Sequence, residues 1–347
     1  MSSDDNRRTG TSRATMNDVA ALAKVSLKTV SRVINNEPSV NEELIERVRQ
    51  AAATLRYQPN QGARTLRRSD GKSATIAVLL ADLANPFSSA ILRAVEEVAM
   101  SRNVSVLGGS VTEDPERERI LCRAMMSHRV DGVVMEPSGG NHDYLRLEQQ
   151  AGVPFVFVDR PAKELDADFV ASDSRTGSYE AVTHLISFGH TRIAYLGDLW
   201  VISTAQDRRD GYRDALAKAG IAHDKSLEVG DLNAVDKAYN AAMKLLTSPV
   251  PPTAIFAGQN LVTIGVVKAL RELNQENSVA LVGYDDFMLA DLLQPAVTVV
   301  AQNPGEIGRV AATKLFDRID GSTESFVTHH VSTSLIVRGS GEIRPAS

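Results

Sequence analysis

The chain has 347 residues, 43% of them hydrophobic, with a net charge of −5; that is enough for two or three packed cores and too apolar for a disordered chain. A single cysteine, Cys122, excludes an intrachain disulfide and fits a reducing compartment. No apolar run approaches the ~20 residues of a membrane span, and the start M-S-S-D-D-N-R-R-T-G lacks the apolar stretch of a secretion signal, so a cytoplasmic protein is expected. The charge is unevenly spread: residues 1–72 hold 13 Lys/Arg against 8 Asp/Glu, or +5, and the remainder holds 25 against 35, or −10. A basic segment joined to an acidic body suits a polyanionic partner for the first and something else for the second.

In chain order, residues 1–14 are polar and are expected to form a disordered tail. Thr15 followed by Asp18 is a capping-box start, and Val19, Ala20, Leu22 and Ala23 give the first helix an apolar face. Lys24 and Val25 make a turn, and Ser26 can cap a second helix. There Val30, Val33 and Ile34 share one side, which leaves Lys28, Thr29 and Arg32 on other faces. Asn35, Asn36 and Pro38 break the chain. Asn41 then caps a third helix whose Leu44, Ile45, Val48, Ala52 and Leu55 complete a small core. Two helices joined by a short turn present the second to the major groove of DNA. Residues 15–59 therefore read as an α-helical helix-turn-helix headpiece. Residues 60–68, within Y-Q-P-N-Q-G-A-R-T-L-R-R, are too few for a lone helix, which needs about 12–15 residues. Arg64, Arg67 and Arg68 repel one another without phosphates nearby, so a hinge helix and linker over 60–72, formed on DNA, is expected.

From residue 73 to 347 short apolar runs alternate with amphipathic helices. T-I-A-V-L-L precedes a helix from Pro86, V-S-V-L-G-G one from Pro115, V-D-G-V-V-M one over about 142–151, and V-P-F-V-F-V ends at Asp159. The rhythm restarts after Asp173 with R-I-A-Y-L-G, L-E-V-G, T-A-I-F-A and V-A-L-V-G-Y-D-D, each set between helices. Repeated β-α units favour two doubly wound, parallel-sheet α/β lobes, and ligands of such sheets sit outside the carboxyl ends of the strands. The polar residues there are Asp82, Asn85 and Phe87; Asp159 and Arg160; Gln259 and Asn260; Asp285; and Gln302, with Arg208 opening a helix of the second lobe. Carboxylates and amides suit sugar hydroxyls, and Phe87 offers a ring an apolar face. Asn85 and Asn260 also fit plain helix caps, and Trp200 fits a packing residue.

T-M-N-D-V-A-x-L-A, V-S-x-x-T-V-S-R-V-I-N-N and Y-Q-P-N-Q-G-A-R-T-L closely resemble the lactose repressor family of bacterial transcription regulators, over about residues 15–340. The resemblance implies that Leu27, Lys28 and Arg32 read base edges, while Thr15, Ser26, Thr29, Ser31 and Asn35 anchor phosphates or helix ends. It adds Asn60 and Ala63 to the DNA-contacting set and makes Leu66 a wedge driven into a central base step. It also implies a periplasmic-binding-protein-like core with chain crossings near 172, 300 and 330. The first lobe would then hold about 73–172 and 303–330, and the second about 173–300 and 331–347. Asp82, Asn85, Phe87, Asp159, Arg160, Arg208, Gln259, Asp285 and Gln302 become an effector site. Gln259 departs from the family's usual Asn or Asp.

The function implied is a repressor of a catabolic operon, released from a palindromic operator by a pentose or nucleoside-like effector. The alternatives are a purine-responsive corepressor-dependent regulator and, more distantly, a sugar-binding transport protein. No enzyme is expected: G-K-S at 71–73 has Leu66 where a phosphate-binding loop requires its first Gly, and His329 and His330 lack further ligands for a metal. No cofactor is called for. Two headpieces spanning a palindrome imply a homodimer, and the short tail R-G-S-G-E-I-R-P-A-S argues against a tetramer.

Overall fold

The computed structural model describes residues 14–34, 40–58 and 72–346, and the chain divides into two compact units, Met1–Ser73 and Ala74–Ser347. The expectations for the tail, for the hinge helix, and for Asn35, Asn60, Ala63 and Leu66 fall outside the described residues.

The first unit contains α1 (Met16–Ala23), α2 (Leu27–Ile34) and α3 (Glu42–Thr54). Thr15 and Asp18 close a reciprocal capping box on α1, and Lys24 ends that helix in the left-handed region at φ 51°. The Thr29 amide donates to Ser26 Oγ at 3.1 Å, and the Glu43 amide to Asn41 Oδ1 at 2.8 Å; both satisfy N–H groups that a helix start leaves orphaned. Arg47 of α3 donates to the Ala23 carbonyl at 2.6 Å and ties the third helix to the turn. The core is Val19, Ala20, Ala23, Val30, Val33, Val48 and Ala51. Leu22 departs from the expected apolar face and is 49% exposed, because the small core is already filled by its neighbours on α1.

The second unit holds two six-stranded sheets. Its strands are β1 (Thr75–Leu80), β2 (Ser105–Ser110), β3 (Val133–Met135), β4 (Phe155–Val158), β5 (Asp168–Ser172), β6 (Ile193–Leu196), β7 (Glu228–Val229), β8 (Ala254–Ala257), β9 (Ala280–Tyr284), β10 (Thr298–Ala301), β11 (Thr328–Val331) and β12 (Ser334–Ile336). The sheet orders are β11-β5-β4-β3-β1-β2 and β12-β10-β9-β8-β6-β7. Every pairing is parallel except β10 with β12. Central strands such as β4 and β8 are buried on both faces, as parallel sheets clothed by helices require. The chain passes between lobes after β5, after β10 and between β11 and β12.

Helix pairs cover the sheets, Pro86–Ser101 with Pro304–Ile319 on the first lobe and Ser174–Ser187 with Ser203–Lys218 on the second. Each crossing turns on a glycine: a Cβ at Gly308 would lie 2.5 Å from the Ile91 carbonyl, and one at Gly211 2.3 Å from that of Arg175. The helix expected over 142–151 is a 3₁₀ turn, Asp143–Leu145, running into Arg146–Gln150. Among the described residues no helix is long and apolar enough to cross a membrane.

Candidate functional site

Because both sheets are parallel, the carboxyl ends of their strands gather polar residues into one cleft between the lobes. Asp159 follows β4 with φ 64°, and Asp285 follows β9 with φ 69°. Asp tolerates this left-handed conformation better than most side chains, and both carboxylates are buried.

On the first lobe, Arg160 is gripped by Glu113, whose carboxylate accepts from Nη1 at 2.6 Å and Nη2 at 2.8 Å. Glu136 accepts from Nη2 at 2.9 Å and from the Ala81 amide, also at 2.9 Å. Burial works against the Arg160 cation, yet Glu136, Glu113 and Asp159 together hold its pKa above the ordinary value. Burial pushes Glu136 up to about 7 despite the pull of Arg160.

On the second lobe, Arg208 donates Nη1 to the Gly258 carbonyl at 2.9 Å, and its guanidinium lies 4.0 Å from the Tyr284 ring centre. Asp285 accepts from Gln302 Nε2 and from the Asn260 backbone, and burial raises its pKa against the pull of Arg208. Asp198, likewise raised by burial, accepts from Gln259 Nε2 at 2.9 Å. Hydrogen bonds span the lobes, from Asn260 Nδ2 to Asn85 Oδ1 at 3.2 Å and from Thr204 Oγ1 to Asp159 Oδ2 at 3.5 Å. Among the described residues, four buried polar atoms of the cleft have no hydrogen-bond partner: Arg160 Nε, Arg208 Nε, Gln259 Oε1 and Gln302 Oε1. These are two donors and two acceptors, the complement of molecules whose hydroxyls do both.

The structure brings together Asn85, Asp159, Arg160, Arg208, Gln259, Asp285 and Gln302 of the expected set. Phe87 is half-buried against the first lobe's core. Asp82 is exposed, and its carboxylate accepts from Ala84 two residues on at 2.9 Å, so its observed bond stays within its own loop. Arg208 does not open its helix; it lies in the second turn of Ser203–Lys218, one turn deeper and hence buried. Asn85 is a cap and a cross-lobe acceptor at once, whereas the cap position before Asn260 belongs to Gln259, whose side chain makes no capping bond. Trp200 is a packing residue, since a Cβ at Gly230 would sit 1.9 Å from its indole. Glu113, Glu136, Asp198 and Thr204 were missed. Glu136 follows β3, and Asp198 lies just past the end of β6, so the rule that selects Asp159 would have found both.

In the headpiece Leu27 is 43% exposed, Lys28 is exposed, and Thr29, Ser31 and Arg32 are half-buried. Thr15 and Ser26 are engaged in capping. Among the described residues no His, Cys, Asp and Glu cluster could hold a metal. Cys122 is buried with its thiol pushed up to about 12 by that burial.

Residues 15–60 match the family described as bacterial regulatory proteins, lacI family, and residues 73–336 match the periplasmic binding proteins and sugar binding domain of the LacI family. The ribose operon repressor of Escherichia coli K12 is 33% identical over 94% of this chain and 99% of its own. The HTH-type transcriptional repressor CytR of the same strain is 31% identical over 96% and 97%. The transcriptional regulator CelR in complex with cellobiose is 32% identical, with a TM-score of 0.70 over 94% of this chain and 100% of its own.

Proposed function

The chain belongs to the LacI family of bacterial regulatory proteins, and from that premise we propose that it represses a catabolic operon and leaves its operator when a small neutral sugar binds between the core lobes. It is a DNA-binding transcriptional regulator of two-part build, a helix-turn-helix headpiece on an α/β core. Its work is recognition rather than catalysis, carried out in the cytoplasm.

The observation that carries the effector reading is the quartet of buried atoms without a hydrogen-bond partner, Arg160 Nε, Arg208 Nε, Gln259 Oε1 and Gln302 Oε1. A buried donor or acceptor without a partner costs ~1–3 kcal/mol, and a polyol removes that cost from both kinds. Similarity to a ribose operon repressor favours a pentose; a nucleoside or a disaccharide such as cellobiose keeps the same hydroxyl chemistry in a larger frame. On the DNA side Leu27, Lys28 and Arg32 of α2 read base edges, and Thr15, Ser26, Thr29 and Ser31 set the register on phosphates, since an exposed second helix is the groove-reading element of this motif. A palindromic operator calls for two headpieces, hence a homodimer.

The test selects operator DNA from a random pool with the purified protein, then measures anisotropy of that operator against D-ribose, other pentoses, nucleosides, cellobiose and purine bases. A neutral sugar or nucleoside is expected to weaken operator binding. Tightening by a purine base would make the chain a corepressor-dependent regulator, and no change with any hydroxylated compound would overturn the reading.

A further inference from the structure

We propose that Glu113 is a specificity-determining residue of the cleft: it fills the guanidinium fork of Arg160 from inside the protein, so the cleft admits a neutral hydroxylated effector and rejects its phosphorylated or carboxylated form. This rests on the cleft being the effector site.

An arginine fork is a ready grip for carboxylate and phosphate because two parallel N–H groups match two oxygens. In Arg160 that pairing is already made, with Glu113 on both η nitrogens and Glu136 sharing Nη2. What remains for a ligand is Nε, which has no hydrogen-bond partner and lies 3.6 Å from Asp159 Oδ2. One N–H suits a hydroxyl oxygen and is a poor seat for an anion. The cleft's other guanidinium, Arg208, spends Nη1 on the Gly258 carbonyl and stands 4.0 Å from the Tyr284 ring centre; its Nε has no hydrogen-bond partner, so against an anion there the surrounding acidic residues act rather than an occupied fork. Around these cations stand Glu113, Glu136, Asp159, Asp198 and Asp285. Negative charge is thus in surplus, and an anionic ligand meets repulsion as well as occupied donors.

The backbone around Glu113 points the same way. Thr112 and Glu113 both sit in the left-handed region, at φ 54° and 57°, where non-glycine residues are uncommon. Successive residues of this kind persist when surrounding contacts over-determine them. Here the Thr112 amide is held by the Ala81 carbonyl at 2.8 Å, and Glu113 by the two bonds to Arg160.

The experiment is titration calorimetry of the full chain with matched pairs, D-ribose against D-ribose 5-phosphate and adenosine against adenosine 5′-monophosphate, alongside inorganic phosphate. The unaltered protein should prefer the neutral member by about tenfold or more. Glu113→Gln should shrink that preference several-fold, whereas Glu113→Asp, which keeps the carboxylate, should retain most of it. A simple loss of packing would weaken both members alike and leave the ratio unmoved. Equal affinity for the phosphate ester in the unaltered protein, or an undiminished preference in Glu113→Gln, would overturn the proposal while leaving the cleft as effector site. If no member of either pair binds, neither D-ribose nor adenosine is the effector, and inorganic phosphate decides the proposal alone: uptake by Glu113→Gln and not by the unaltered protein supports it, and any other result overturns it.

Discussion

In the first lobe β4 runs directly into Asp159 and Arg160; in the second β9 runs into Asp285, and the guanidinium arrives from a helix as Arg208. The two sheets share one strand order, and both aspartates take the same left-handed turn. The cations are nonetheless held by different means. Arg160 is fixed by charge, with carboxylates on both η nitrogens. Arg208 is fixed by a carbonyl and an aromatic face. The repeat supplies the position of a cleft group, and the non-equivalent loops supply what that group can do. One lobe carries a charge-locked anchor, and the other a lightly held donor.

If that contrast is right, the largest effect follows from removing the locked cation. Arg160→Ala strands Glu113, Glu136 and Asp159 without their counter-charge, and breaking a buried pair from one side costs about 3–5 kcal/mol. Arg208→Ala strands one carbonyl and one ring face and weakens the hold on Asp285, so a smaller loss, ~1–3 kcal/mol, is expected. Urea denaturation of the two variants gives the comparison. An equal or larger loss for Arg208→Ala would mean that the second lobe depends on charge as much as the first.

The next effect is a pH dependence whose largest part comes from the first lobe's lock. Folded Glu136 keeps its proton up to about 7, against an ordinary value of 4.5. Between those values the folded state binds more protons than the unfolded one, so its stability falls as pH rises. The Glu136 contribution is present below the lower value and lost through the upper one, to the extent of roughly 3 kcal/mol. Asp198 and Asp285, raised by burial, slope in the same direction. The informative quantity is therefore the difference between the protein and Glu136→Gln, followed by denaturation from mildly acid to mildly alkaline buffer. Parallel curves would show that Glu136 stays ionised throughout.

A third comparison is steric, and there the lobes should agree. Gly308→Ala and Gly211→Ala each drive a methyl into a carbonyl of the partner helix, and overpacking of this kind costs ~1–3 kcal/mol. Near-equal losses of melting temperature would mark the helix crossings as equivalent parts of the repeat. A tolerated substitution in one lobe would mark that crossing as the more compliant.

How far such features are legible in sequence follows from how local their causes are. Thr15 and Asp18, only three residues apart, close the cap of the helix that begins between them, so the headpiece's capping box can be read directly. Strand ends are legible because apolar runs stop at polar residues, which is how Asp159 and Asp285 were found. Arg208 was placed at a helix start because its helix begins with Ser203 and Thr204 without a capping side chain, so no local signal marked the boundary. Glu113 was invisible for a different reason. It lies in a loop between β2 and a helix, 47 residues from the arginine it grips, and only the parallel stacking of β2, β1, β3 and β4 brings the two together.

The smallest expected effect tests whether the lobes hold each other. Asn260 Nδ2 donates across the cleft to Asn85 Oδ1, an oxygen that also accepts from the Phe87 amide at 3.0 Å. Asn85→Ala would remove a helix cap and the cross-lobe bond together, so it cannot separate them. Asn260→Ala leaves the Asn85 cap intact and removes the donor, together with the bond that Asn260 Oδ1 accepts from the Leu261 amide at 2.7 Å within the second lobe; the cross-lobe share is about 1 kcal/mol, the net worth of a typical hydrogen bond. In the folding equilibrium that is barely visible. In the equilibrium between lobe arrangements it is several-fold, because an effector acts only through its unequal affinity for the two. If the bond favours the arrangement that binds effector, Asn260→Ala should weaken effector binding several-fold while leaving operator binding without effector nearly unchanged. The opposite sign, tighter effector binding by calorimetry, would mean that the bond belongs to the arrangement the effector disrupts.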